Sequence, residues 1–96
     1  MADEFVWSDW LDFNEETISK IPPSAGIYMM HAAMKILYIG GSANLKESIL
    51  KSLNAPCTRD SKRFKYAVLS DFERVGVQLL REYQEKHNGK LPKCME

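Results

Sequence analysis

The order of apolar and polar residues divides the chain into stretches with strand or helix periodicity. Residues 25–30 and 35–40 are apolar, aromatic and β-branched, which is typical of two strands joined by a short turn. Residues 63–69 predict a third strand, because their larger apolar side chains alternate with Arg63, Lys65 and Ala67. Its apolar face carries Phe64, Tyr66 and Val68.

Three helices are predicted around these strands. A short helix begins after the N-cap residue Asn14 and ends before a pair of prolines. Apolar residues at helical spacing predict a second helix over residues 45–53. A third, longer helix runs from a cap at Ser70 or Asp71 to the stop signal Gly89. The sequence therefore predicts an α/β domain (an α+β sandwich), in which these helices flank a three-stranded, mainly antiparallel sheet.

The length of 96 residues suits a single domain with one modest core, residues 1–96. No apolar run is long enough to cross a membrane, and the N-terminus lacks the features of a secretion signal, so a cytoplasmic location is expected. Cys57 and Cys94 lack the spacing of a zinc or redox motif, and reduced thiols are expected, with a disulfide between them left open. Residues 1–21 form an aromatic segment and the short helix, which we expect to cover part of the core.

The net charge is zero, with 13 basic and 13 acidic residues, but the charges are unevenly distributed. Residues 1–16 carry acidic side chains and no basic ones, whereas six of the eight charged side chains in residues 46–65 are basic. A surface that binds nucleic acid is predicted on this basic segment, the alternative being a solvated face that binds nothing. The residues assigned to this surface are Lys51, Arg59, Lys62, Arg63 and Lys65.

The two strands of the predicted hairpin each carry a tyrosine. If the turn passes through Ala32 and Ala33 and closes between residues 31 and 35, Tyr28 lies directly opposite Tyr38. Both phenols would then lie on one face of the sheet.

The segments Gly26-Ile27-Tyr28 and Tyr38-Ile39-Gly40, followed by Ser42-Ala43-Asn44-Leu45-Lys46, resemble the signature of the GIY-YIG nucleases. The resemblance covers residues 22–88, which make up the family-like core of the domain. It implies a fold whose enzymes hydrolyse phosphodiesters. In that family a tyrosine assists deprotonation of water, an arginine stabilises charge on the phosphate, and a glutamate holds one divalent cation.

Carried over position by position, the resemblance implies a site that is only partly complete. The retained positions are Tyr28, Tyr38 and Asn88. Ser48 occupies the position of the family's arginine, and Gly76 occupies that of its metal-binding glutamate. Because losing a group that stabilises developing charge typically costs on the order of 10²- to 10³-fold in rate, we expect cleavage to be impaired.

Three functions follow as alternatives. The first is a nuclease-like domain that has lost cleavage, needs no metal cofactor and binds DNA or another nucleic acid. The second is an active endonuclease that uses Mg²⁺ or Mn²⁺, with Lys51 and Glu73 substituting for the missing arginine and glutamate. The third is a protein-interaction module, suggested by the zero net charge and by Trp7 and Trp10 near the N-terminus.

Overall fold

The computed structural model describes residues 5–32 and 35–95. In these ranges the strands and helices are β1 Leu11–Asp12, α1 Glu15–Ile18, β2 Gly26–Ala32, β3 Lys35–Ser42, α2 Leu45–Ser52, β4 Arg63–Val68 and α3 Phe72–Lys86. Single 3₁₀ turns occupy Thr58–Asp60 and Lys93–Met95. Of the helices described, none has both the length and the apolar character to traverse a lipid bilayer.

The sheet has four strands in the order β1-β4-β2-β3, and every neighbouring pair is antiparallel. The prediction of three strands was therefore wrong, because part of the aromatic N-terminal segment joins the sheet. Leu11 pairs with Phe64, and further upstream the Ser8 backbone N–H donates to the Tyr66 carbonyl at 2.8 Å. This segment covers the outer edge of β4 as well as part of the core.

The hairpin of β2 and β3 has a different register from the predicted one. Tyr28 lies opposite Gly40, and Met30 lies opposite Tyr38. Pairing begins between Ala32 and Lys35, and a bulge between Met30 and His31 shifts the register by a further residue. The predicted turn includes Ala33, which lies outside the described residues. The turn and the bulge each shift the register by one residue, and the two shifts together change the tyrosines from a direct to a diagonal pair and leave both on one face.

Each face of the sheet carries its own apolar cluster. The face toward α1 and α2 is packed with buried side chains, namely Ile18, Ile21, Tyr28, Met30, Leu45, Ile49 and Phe64. On the opposite face, α3 covers Ile27 and Ala67 through Val75, and Phe5 and Trp7 pack against the same cluster. The domain is thus three layers, with the central strand β2 buried from both sides.

Side chains fix the starts of two helices as the sequence predicts. Asn14 Oδ1 accepts from the Thr17 backbone N–H at 2.8 Å, and Asn44 Oδ1 accepts from the Glu47 N–H at 3.1 Å. At the start of α3, Asp71 instead receives the guanidinium of Arg74 at 2.7 Å. Asn44 therefore caps the N-terminus of α2, and this helix begins almost directly after β3.

A disulfide joins Cys57 to Cys94, and the expectation of two reduced thiols is corrected accordingly. The fold brings the loop after α2 beside the C-terminal tail, so the Cα atoms lie 5.7 Å apart although the residues are 37 apart in sequence. In the tail, Pro92 is fully buried, and the 3₁₀ turn Lys93–Met95 that follows it contacts β3. The tail is thus held against the body of the domain at two points.

Candidate functional site

The candidate site is built on the two tyrosines of the hairpin. Their rings stack with centroids 5.5 Å apart and planes inclined by 18°. Tyr28 is buried, with 5 % of its surface exposed, whereas Tyr38 is partly exposed. The pair therefore presents one accessible phenol, with the second behind it in the core.

Gly40 explains why the rings can adopt this arrangement. It lies directly across from Tyr28, and a Cβ atom built on it would come within 2.6 Å of Cε1 of the Tyr38 ring. Any side chain at this position would have to displace the ring. The glycine of the second signature segment thus keeps the space that the outer tyrosine occupies.

The electrostatics of Tyr28 follow from its burial. Desolvation raises the pKa of this phenol well above its ordinary value of 10.0, and the adjacent Tyr38 phenol raises it further. At neutral pH Tyr28 therefore stays protonated. It can donate a hydrogen bond, but it cannot accept a proton from water without a cation nearby.

Position 48 holds a network of hydroxyl groups in place of a cation. The Ser48 hydroxyl hydrogen-bonds with that of Ser42, which lies on the same face of β3 as Tyr38. The Ser42 oxygen also accepts from the Asn44 backbone N–H at 3.0 Å, and Ser52 donates to the Ser48 carbonyl at 3.1 Å. These hydroxyls satisfy one another and supply no positive charge to the tyrosine pair.

Gly76 packs against the backbone of the glycine pair in β3. A Cβ atom built on Gly76 would lie 3.5 Å from the Gly41 nitrogen and 3.9 Å from the Gly40 carbonyl carbon, which is ordinary van der Waals contact. Helix α3 thus packs against the backbone of β3 here but leaves room for a methyl group, so packing does not require glycine at this position. This position supplies no carboxylate.

The residues present do not fit the divalent cation that this fold implies. Gly76 has no side chain, and Glu73 is exposed in the first turn of α3. Within residues 5–32 and 35–95, no three His, Cys, Asp or Glu side chains are grouped closely enough to hold a metal ion. No step of a reaction can be assigned to a metal here.

Asn88 lies in the turn just beyond the C-terminal end of α3. It follows the last turn of α3, is exposed, and has a positive φ of 56°. It follows Gly76 by twelve positions, of which ten, residues 77–86, lie in α3 and span about 15 Å along the helix axis. The Gly89 backbone N–H donates back to the Gln84 carbonyl at 2.7 Å, so these residues terminate the helix.

The predicted basic residues are exposed or partly exposed, and several contact other side chains. Lys51 pairs with Glu47 at 3.1 Å, and Arg63 pairs with Asp12 at 3.4 Å. Lys65 lies 4.8 Å from the ring centroids of both Trp7 and Trp10, an arrangement that fastens the N-terminal segment to β4. The other two members, Arg59 and Lys62, are exposed near the loop between α2 and β4.

One tyrosine of this face was not assigned to the site from the sequence. Tyr66 of β4 lies directly opposite Tyr28, on the side away from Gly40, and packs against the same cluster. A row of Tyr38, Tyr28 and Tyr66 therefore crosses three strands. The available signal was the position of Tyr66 on the apolar face of the predicted third strand, combined with the central place of β2.

A sheet of this topology, with the tyrosine pair in its first hairpin and helices on both faces, defines the GIY-YIG nuclease fold. The similarity is to the GIY-YIG N-terminal endonuclease domain of UvrC from Thermotoga maritima, solved by crystallography as a point mutant bound to its catalytic divalent cation. The TM-score is 0.59 at 20% sequence identity, over 82% of this chain and 90% of that one. The fold implied by the two sequence motifs is therefore confirmed.

No protein-family model matches the sequence, and no curated protein matches it significantly. With 20% identity to the solved structure, the comparison establishes the fold alone.

Proposed function

We propose that this chain is a GIY-YIG-fold domain that binds nucleic acid and does not cut it. The observation that carries this proposal is the neutral surroundings of the tyrosine pair. The hydroxyl network of Ser48 and Ser42 lies where the resemblance assigns an arginine, and Gly76 lies where it assigns a carboxylate. Among the described residues, burial and the Tyr38 phenol set the raised pKa of Tyr28, and no cation is among the causes of the shift.

Two parts of phosphodiester hydrolysis depend on a nearby positive charge, namely deprotonation of water and stabilisation of the charge on the phosphate, and both are missing from a site without a cation. The phenol keeps its proton at neutral pH, so it is a poor base toward water. Negative charge that develops on a phosphate in the transition state is also left without an adjacent positive group. The partly exposed hydroxyl of Tyr38 remains able to donate a hydrogen bond to a phosphate oxygen, which favours binding over cleavage.

The binding surface that we propose is the exposed basic loop with Arg59 and Lys62, extended by Arg63 at the start of β4. Fluorescence anisotropy with labelled single-stranded and duplex DNA tests it. We expect affinity to fall steeply with added salt. Binding of the protein releases cations that are condensed on the phosphates, and added salt makes this release less favourable. The variant Arg59→Gln/Lys62→Gln should bind roughly tenfold more weakly at low salt.

The matched control is Lys20→Gln/Lys86→Gln, which removes the same charge from exposed positions elsewhere. It should bind almost as the wild type does. Equal losses in the two double variants would mean that only overall charge matters. Absence of binding at low salt would overturn the proposal.

Cleavage is tested separately, by nicking of supercoiled plasmid with Mg²⁺ or Mn²⁺. We expect no nicking above that of a Tyr28→Phe/Tyr38→Phe control. The alternative, an active endonuclease that uses Lys51 and Glu73, requires metal-dependent nicking that both the tyrosine variant and Glu73→Ala abolish. That result would replace the non-cleaving proposal.

A protein-interaction role for the aromatic N-terminus is the weaker alternative. Trp7 and Trp10 are partly buried and both contact Lys65, and Trp10 also stacks on His31 with centroids 4.6 Å apart. Their aromatic surface is thus already used within the domain.

The proposal retains a cytoplasmic location. The disulfide between Cys57 and Cys94 is uncommon in a reducing cytoplasm, so this location requires the bond to be reduced in the cell, and alkylation of intact cells before lysis should then label both cysteines as thiols. Recovery of the disulfide in most of the protein would contradict that location.

A further inference from the structure

A second concave site lies at the other end of β3 from the glycine pair. It is a cavity of about 450 Å³ between the start of β3, the C-terminal end of α3 and the tail. The lining residues are Lys35, Ile36, Tyr83, His87, Lys90, Leu91 and Lys93. None of them belongs to the tyrosine pair or to the proposed nucleic-acid surface, so this cavity is a separate site.

Among residues 5–32 and 35–95, the charges that line the cavity are all positive. Lys35, Lys90 and Lys93 contribute three ammonium groups, and no carboxylate is among the lining residues of these ranges. The protein as a whole has zero net charge, so this local excess is set by position and not by composition. An adjoining smaller cavity contains Glu82 and Lys86, whose charges oppose each other. A concave surface of one sign concentrates anions.

One wall of the cavity is flat and aromatic. The Tyr83 and His87 rings are stacked, with centroids 3.8 Å apart and planes inclined by 11°. His87 Nδ1 donates to the Tyr83 carbonyl oxygen at 2.8 Å, which fixes the orientation of the imidazole. With Ile36 and Leu91 alongside, the cavity offers apolar surface for a planar group next to ammonium groups for an anion.

The tail forms the remaining wall, and the disulfide holds it. Lys90, Leu91 and Lys93 all lie in the tail, and the next residue, Cys94, is bonded to Cys57 in the loop after α2. Pro92, between these lining residues, is buried. Breaking the disulfide would remove one of the two attachments of the segment that carries two of the three lysines and leave only its packing against β3.

We propose that this cavity binds a nucleotide, with phosphate at the lysines and the base against the Tyr83 wall, and that the disulfide keeps the cavity complete. The volume lies in the range of small-molecule sites, about 300 to 1,000 Å³, and exceeds what a bare phosphate needs. A free nucleotide and the phosphorylated end of a strand share this chemistry. The two sources are distinguished by the ligands tested.

Reduction by a dithiol such as dithiothreitol transfers two electrons and two protons to the sulfurs. Cys57 and Cys94 become thiols, and the reductant closes to its own cyclic disulfide. The tail then loses its covalent attachment to the loop after α2.

The test is titration of the oxidised wild type, followed by amide chemical shifts in NMR and by calorimetry. The ligands are AMP, adenosine, inorganic phosphate and a 5′-phosphorylated dinucleotide. We expect AMP to bind at least tenfold more tightly than adenosine or phosphate and to shift the amides of Tyr83, Lys90 and Lys93. Tighter binding of the dinucleotide than of AMP would identify a strand end as the source.

The charge requirement is tested with Lys90→Gln/Lys93→Gln, for which we expect AMP affinity to fall at least tenfold. The controls Lys20→Gln/Lys46→Gln and Arg59→Gln/Lys62→Gln lie outside the cavity and should leave AMP affinity unchanged. Loss of oligonucleotide binding without loss of AMP binding in the second control would keep the two proposals distinct. Equal affinities for AMP, adenosine and phosphate, or no amide shifts with any of them, would overturn the nucleotide site.

The role of the disulfide is tested by reducing the wild type and by Cys57→Ser/Cys94→Ser. Circular dichroism verifies that each sample is folded at the temperature of the titration. We expect AMP affinity to fall at least fivefold in both samples. An unchanged affinity in the folded, reduced protein would overturn the role of the disulfide.

Discussion

At the scale of single residues, the chemistry of Tyr28 is set by its neighbours and not by its type. The phenol is buried on the central strand, between Tyr38 and Tyr66, and its neutral form is favoured. The sequence predicts that the phenols of Tyr28 and Tyr38 share a face, because alternation along two paired strands determines it. It does not predict the depth of each ring, since that depends on the bulge and on Gly40.

The raised pKa of Tyr28 has a consequence for stability at high pH. Above about pH 10 the unfolded chain releases this phenolic proton, whereas the native protein keeps it. Ionisation therefore stabilises the unfolded state and lowers the free energy of unfolding. The contribution of Tyr28 to stability is fully present below pH 10 and is lost as the pH rises beyond it. Urea unfolding at pH 8 to 11 should show the free energy of unfolding of the wild type falling by up to about 1.4 kcal/mol per pH unit more than that of Tyr28→Phe.

Tyr83→Phe is the matched control, because Tyr83 lies on α3, outside the tyrosine pair. Its pH dependence should follow that of the wild type. Parallel curves for the wild type and Tyr28→Phe would contradict the burial argument.

At the scale of elements, β3 and α3 each carry a glycine at their contact, but only the glycine of the strand is required for close packing. A Cβ atom on Gly41 would lie 2.7 Å from the Phe72 carbonyl oxygen, so strand and helix would have to separate. A Cβ atom on Gly76 would meet its neighbours at 3.5 Å or more. Close packing of α3 on β3 therefore requires glycine at position 41 of the strand, whereas position 76 of the helix has room for a methyl group.

Two alanine substitutions should therefore change stability in opposite directions. Gly41→Ala should lower the free energy of unfolding by about 1 to 3 kcal/mol, because the backbone must move. Gly76→Ala should raise it by about 0.5 to 1 kcal/mol, since alanine is the better helix former and its methyl group fits. Thermal and urea unfolding of both variants measures this, and a destabilised Gly76→Ala would show that the helix lies closer to the sheet than described.

The elements that the sequence predicts are those long enough to show a period. Three strands and three helices lie at or near the expected residues because five or more positions alternate or recur in most of them. Strand β1 has two residues, Leu11 and Asp12, too few for any pattern. Its pairing depends on β4 having a free edge, which only the folded sheet reveals.

At the scale of the whole molecule, the disulfide closes a loop that contains α3 and β4. The linked residues are 37 apart in sequence. Restricting the unfolded chain over such a loop contributes about 3 to 4 kcal/mol in the chain-entropy description. Dithiothreitol should lower the free energy of unfolding by about that amount.

The variant Cys57→Ser/Cys94→Ser provides the reference for this measurement. Its stability should equal that of the reduced wild type and should not respond to dithiothreitol. A reduced wild type as stable as the oxidised protein would show that the link adds no stability.

Relationships between distant residues are what the sequence could not supply. Cys57 and Cys94 carry no local pattern that indicates pairing, and the fold alone brings them together. Asn88 matches the family's asparagine by spacing, and in the structure it lies with a positive φ in the turn that ends α3. The lysines of the cavity are scattered over residues 35 to 93, so neither composition nor charge runs reveal them.

The pairing of β1 with β4 also determines when the aromatic N-terminus can be sheltered during synthesis. Trp7 and Trp10 leave the ribosome before the rest of the domain, and their sheet partner and Lys65 are made only after both hairpin strands and α2. At about 5 to 20 residues per second, these indoles wait for seconds next to apolar chain that has no final partner. The nascent protein should therefore depend on chaperones most while β4 is still inside the exit tunnel.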